Sequence, residues 1–147
     1  MRAALLALAL AGCLDSAAPD VGPPLRPACD DADRDPAVVV SYRDVVDGVF
    51  RDPAYDCVKC HTEGGATPLG LLVGGLDLGS YDGLRRGGNQ SGGDVVIPGA
   101  PCRSALYRKV LGGPPFGARM PLDGPPYLGD EELDLIHDWI AEGAHAE

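Results

Sequence analysis

The stretch DCVKCHTEGG, residues 56–65, decides how the rest of the chain is read. Cys57 and Cys60 stand three apart, and His61 follows at once. Residues at i and i+3 of a helical turn project from one side, with i+4 beside them. One turn therefore presents two thiols and an imidazole together. Three chemistries use such a set: a redox thiol pair, half of a zinc site, or the covalent anchoring of a porphyrin.

C-x-x-C-H is the attachment signature of c-type haem, because two thiols so placed each add to a vinyl group on one porphyrin edge while the imidazole reaches the iron. The iron then asks for a sixth ligand. Apart from the initiating residue, Met120 is the one methionine, in ARMP, 59 residues after His61. A thioether favours ferrous iron, so a His/Met pair suits electron transfer at raised potential. Met120 sits among Arg, Pro and Gly rather than on an apolar helical face, which weighs against a gap-filling core role. A structural zinc needs four ligands. The candidates are His61, His137, His145, Cys29 and Cys102, with no second close pair of cysteines. A redox dithiol finds no thioredoxin-like βαβ pattern around CVKC. His137 and His145 are expected at the surface, His137 being the substitute should Met120 not bind.

Upstream, MRAALLALALAGC has one positive residue, a short apolar run and small residues before Cys13. The run is too short to span a bilayer as a permanent helix, so residues 1–12 read as an export signal. LAGC resembles the lipobox of bacterial lipoproteins, which makes Cys13 the lipidation candidate and the first mature residue. Residues 13–36 mix Pro and Asp with little that is apolar and read as a tether. Outside the cytoplasm idle thiols are disfavoured, so Cys29 and Cys102 are candidates for a disulfide with each other, or else for pairing outside the chain.

The 147 residues leave room for one domain, 37–147, after the signal and tether. Tyr42, Val45, Val46, Val49 and Phe50 form one face of a first helix that Pro53 ends. Residues 64–93 hold eleven glycines, which match no phosphate-binding loop. Ser80 is the N-cap of a short helix to about Arg86, and a second runs from about Cys102 to Leu111. GDEELDLIHDWIAEGA is the clearest helix, with acidic residues in its first turn and Leu133, Ile136, Trp139 and Ile140 on its buried stripe. The expected class is all-α: a small, loop-rich fold of about three to four helices, with the terminal helices free to pack on each other.

The net charge of −10 argues against nucleic acid as a partner. The charge is segregated: residues 59–119 carry 7 basic and 4 acidic side chains, residues 120–147 none and 8. Arg85, Arg86, Arg103, Arg108, Lys109, Arg119 and Tyr107 lie where haem propionates would find partners.

From about Tyr42 to Ala144 the chain resembles class I monohaem cytochromes c, and most closely the planctomycete-type cytochrome c domain of exported bacterial proteins. The resemblance is carried by SYRDVV, CVKCH, GGLDLGSYDGLRRGG, VVIPGAPCRSALYRKV, RMP and LGDEELDLIHDWIAEGA, in that order. It implies one covalent haem c on Cys57 and Cys60, His61 as proximal and Met120 as distal iron ligand, and Trp139 between the first and last helices. The expected function is electron transfer by a monomeric carrier, not an enzyme, held by a lipid anchor at a membrane facing the periplasm or cell exterior. Its acidic surface predicts redox protein partners with basic docking faces. The alternatives are a haem-based sensor, a peroxidase-like haem enzyme, or a structural exported domain holding zinc or a disulfide at CVKC.

Overall fold

Ser41 opens the first helix through a reciprocal cap. Its hydroxyl accepts from the Asp44 amide at 3.2 Å, and the Asp44 carboxylate accepts from the Ser41 amide at 2.8 Å. In this computed structural model, which describes residues 28–112 and 117–147, helix α1 (Tyr42–Val45) runs on as a π-helical turn, Val46–Phe50. The stripe predicted for this segment faces inward: Val45, Val49 and Phe50 are buried, with Tyr42 and Val46 at the margin of the core. The continuous α-helix expected there is thus underwound into a wider turn before Pro53.

Five further helices follow: α2 (Cys57–His61), α3 (Leu69–Leu72), α4 (Tyr81–Arg86), α5 (Ala105–Leu111) and α6 (Asp130–Ala141). No strand occurs among the described residues, and the class is all-α and loop-rich as predicted. Ser80 caps α4 by accepting from the Gly83 amide at 3.0 Å. The helix expected from Cys102 begins as a 3-10 turn, Pro101–Arg103, and becomes α5 only after Ser104. At α6, Glu132 reaches back to the Gly129 amide at 2.9 Å, and three carboxylates occupy the first turn, where the helix dipole favours them.

α6 carries the centre of the core. Leu133, Ile136, Trp139 and Ile140 are fully buried, as their spacing predicts. Tyr42 from α1 meets Trp139 at 5.7 Å between ring centroids and Tyr81 from α4 at 5.3 Å, so three helices share one aromatic cluster. The Trp139 indole donates to the His145 carbonyl at 2.8 Å, which closes the chain end over the ring.

Two expectations change on the opposite flank of α6. Residues 28–36, counted with the tether, are pinned to the domain. Cys29 forms a disulfide with Cys102, and the Cys102 amide donates to Asp31 at 2.8 Å. Arg34 pairs with Asp134 at 2.6 Å, its amide donates to Asp138, and Nη2 donates to the Tyr107 hydroxyl at 3.2 Å. His137, expected at the surface, is completely buried. Its Nε2 donates to the Asp30 carbonyl at 2.8 Å and its Nδ1 shares a 2.7 Å hydrogen bond with Asp138, so both ring nitrogens are committed to this strap. His137 is a fastening of the fold and has no nitrogen left for a metal. His145 is exposed, as expected. The segment read as an export signal, Cys13 and the residues up to 27 read as a tether lie outside the described residues, as do residues 113–116. None of the described helices is long and apolar enough to cross a membrane.

Candidate functional site

α2 is the CVKCH turn itself. Asp52 folds the chain back ahead of it, accepting from the Ala54 amide at 2.7 Å through its side chain and from the Asp56 amide at 2.7 Å through its carbonyl. Asp56 then takes a left-handed conformation, φ 39°, tolerated by Asp better than by most residues, and α2 starts at Cys57. This resolves the link between Phe50 and Cys57 as one tight turn.

Cys57 packs against the core near the Val49 carbonyl, while Cys60 lies nearer the surface beside the Thr67 hydroxyl at 3.5 Å. They are the two described cysteines outside the disulfide. Burial pushes the Cys57 thiol up to about 11, with Asp56 adding to the effect. That is the opposite of what a redox dithiol needs, since thiol exchange runs through a thiolate of lowered pKa. Zinc fares no better: among the described residues no group of three or more His, Cys, Asp or Glu is placed to hold a metal ion.

His61 is half-buried at the end of α2. Its Nδ1 lies 3.1 Å from the Leu76 carbonyl. A carbonyl only accepts, so Nδ1 carries the proton and Nε2 keeps its lone pair. Burial lowers the pKa of this imidazole, and the bond to Leu76 offsets that in part. The result is a neutral ring with one nitrogen fixed and the other free to ligate. Gly70 of α3 allows this placement, because a Cβ there would stand 2.6 Å from Nε2. The Leu78 amide donates to the His61 carbonyl at 2.7 Å and holds the returning chain against the turn.

Met120 lies on the irregular segment between α5 and α6, packed at the margin of the core. Its amide donates to the Lys109 carbonyl at the end of α5, 3.1 Å away. Three residues on, Asp123 pairs with Lys59 of α2 at 2.8 Å, an exposed contact that raises the lysine and lowers the carboxyl. A shallow cleft lined by Tyr55, Asp56, Lys59, Pro121 and Asp123 runs between these two segments. The chain therefore brings the CVKCH turn and the methionine loop to the same side of the domain.

The exposed apolar residues mark that side too. Leu69, Leu72 and Val73 follow His61 and are 64–74% exposed, and Leu122, two residues past Met120, is 71% exposed. Only Val38 and Val39, between the strap and α1, are comparable among the described residues. Exposed branched side chains on the segments that follow both candidate ligands fit an apolar group lying against them. Two unpaired thiols on one turn, an imidazole with Nε2 available, a thioether and this apolar rim are a donor set that fits a covalently held haem.

Of the proposed propionate partners, Arg85 donates to the Val96 carbonyl at 2.8 Å and Arg86 pairs with Asp77 at 3.5 Å. Tyr107 is fully buried under the strap, edge-on to His137. Arg103 is exposed, and Arg119 is buried. Sequence reasoning missed the strap network of Arg34, His137 and Asp138. The Arg/Asp content of residues 30–35 resembles solvated tether, and only the cysteine at 29 hinted at docking.

Residues 57–121 match the family model described as Planctomycete cytochrome C. The match begins at the first cysteine of the CVKCH turn and ends at the proline that follows Met120, and it supports a cytochrome c-type domain here. Neither the comparison with curated proteins nor that with solved structures returned a match.

Proposed function

We propose that the chain is a membrane-tethered, monohaem c-type cytochrome carrying one electron at a time between redox partners outside the cytoplasm. Haem bound here supplies a one-electron iron couple, and the protein sets its ligands, burial and docking surface. Cys57 and Cys60 would hold the porphyrin as thioethers. His61 would offer Nε2 to the iron while the Leu76 carbonyl keeps the proton on Nδ1. Met120 would offer a neutral, soft sulfur, which favours the ferrous state. One electron enters from a donor and leaves to an acceptor, with no bond made or broken in the protein. The observation that carries this reading is the CVKCH turn with its unpaired thiols and its oriented imidazole.

Cys13 is the lipid-bearing residue in this proposal, and residues 14–27 are the leash. The acidic surface suits partners with basic docking faces, with electron-transfer rates that fall as salt rises.

The test is protein made with haem-attachment machinery. Its mass should exceed the chain by one porphyrin, the ferric spectrum should show a weak sulfur–iron band at long wavelength, and the reduced form should not take up carbon monoxide. Cys57→Ala with Cys60→Ala should abolish the covalent haem entirely. A mass without porphyrin overturns the reading, and ready carbon monoxide binding moves it to a sensor or peroxidase-like enzyme.

A further inference from the structure

A soft ligand on an irregular loop raises the question of what holds it still. Residues 117–129 form no helix or strand, so no ladder of backbone bonds fixes the position of Met120. The neighbouring side chain does something unusual for this segment. Arg119 is 8% exposed, deeper than most arginines lie. Its guanidinium carbon sits 4.9 Å from the centre of the Tyr127 ring, within cation–π range. On its other side is Gly112, at the C-terminal end of α5. A Cβ there would land on the guanidinium, and the glycine's φ of +86° disfavours any other residue. The arginine thus spans from the end of α5 to the chain just before α6, crossing the loop that carries Met120. Burying a permanent charge is costly unless it is paired, and a planar guanidinium stacks on an aromatic ring as a compact ammonium does not.

We infer that Arg119 is a positioning residue for the distal ligand: its guanidinium, clamped between Gly112 and Tyr127, fixes the methionine loop so that the Met120 sulfur stays on the iron. The inference rests on the proposed ligation by Met120. Arg119 acts through the loop and touches no reacting atom. A ligand whose sulfur is held only by its own bond to iron dissociates readily, whereas one whose backbone is clamped on the adjacent residue re-forms that bond at once.

The experiment compares haem-loaded wild type with Met120→Ala, Arg119→Lys, Arg119→Gln and Gly112→Ala. The readouts are the long-wavelength sulfur band, carbon monoxide binding to the reduced form, and the melting temperature. Met120→Ala defines full loss of the band and open carbon monoxide binding. Arg119→Lys keeps the charge but not the planar stack, and Gly112→Ala keeps the arginine but takes its place. Both are expected to lose at least half of the band and to bind carbon monoxide, although one changes the cation and the other its cradle. A role in stability alone lowers the melting temperature and leaves the band intact. The inference is overturned if Arg119→Lys and Gly112→Ala both keep the wild-type band and exclude carbon monoxide, and the lysine variant decides should Arg119→Gln not fold. If Met120→Ala itself leaves the spectrum unchanged, the ligand assignment has failed instead.

Discussion

The two flanks of this small domain are built to different standards. On the α5–α6 flank, His137 and Tyr107 are fully buried and hydrogen-bonded to the strap, and a disulfide closes the strap over them. On the α2–α3 flank no residue of either helix is fully buried, and three of the most exposed aliphatic side chains follow one another within a single turn or so. The first flank completes itself with the chain's own atoms. The second has an oriented imidazole, two thiols and an apolar rim, and its packing comes from a partner of another kind. A chain with 5% aromatic residues cannot furnish two full cores. Four of its eight aromatic residues, Tyr42, Phe50, Tyr81 and Trp139, gather in one cluster.

The largest blow to this contrast comes from the aromatic cluster. Trp139→Ala removes a fully buried indole that touches α1 and closes the chain end. A cost of about 3–5 kcal/mol is expected in chemical denaturation, with or without haem. A much smaller cost in the haem-free protein would mean that the self-sufficient flank is not organised without the cofactor.

Next in size is the strap. The Cys29–Cys102 bond joins residues 73 apart in sequence, and its loss with both residues changed to Ser is expected to cost about 2–4 kcal/mol in urea titration. The haem spectrum should not change, because the bond lies on the far flank. A shifted spectrum would show the two flanks to be coupled.

The same division explains what the sequence disclosed. The CVKCH turn was legible because covalent attachment demands fixed residue types at fixed spacing, and α6 because four buried apolar residues recur at helical intervals. Ser80 followed from capping chemistry, and Cys29 and Cys102 were candidates for pairing if the chain is exported, with a partner outside the chain left open. The strap was not legible: Asp30, Asp31, Arg34 and Asp35 have the composition of solvated chain, and their partners Asp134, His137 and Asp138 lie about a hundred residues away. His137 occupies a position on α6 whose burial depends on that docking, so periodicity alone left it outside. Arg119 was hidden for a related reason, since its slot is formed by a glycine conformation and a tyrosine on opposite sides of a proline-rich loop.

The smallest effect probes the incomplete flank directly. In protein whose thiols are unmodified, burial holds the Cys57 thiol neutral, with its titration raised from 9.0 to about 11. The unfolded chain loses that proton near the ordinary value, the folded chain only near the raised one. The stabilising difference is therefore complete below pH 9 and is lost as pH rises through 11, because the unfolded state alone is relieved by ionising in that interval. Two units correspond to roughly 2–3 kcal/mol. Haem-free wild type should accordingly lose stability between pH 9 and 11 by more than Cys57→Ala does, each measured by urea denaturation at fixed ionic strength. The haem-loaded protein, its sulfur tied up as a thioether that does not ionise, should follow the alanine variant. Equal losses in all three forms would mean that Cys57 is well solvated, and that the α2 flank is looser than the packing of Cys57 on Val49 implies.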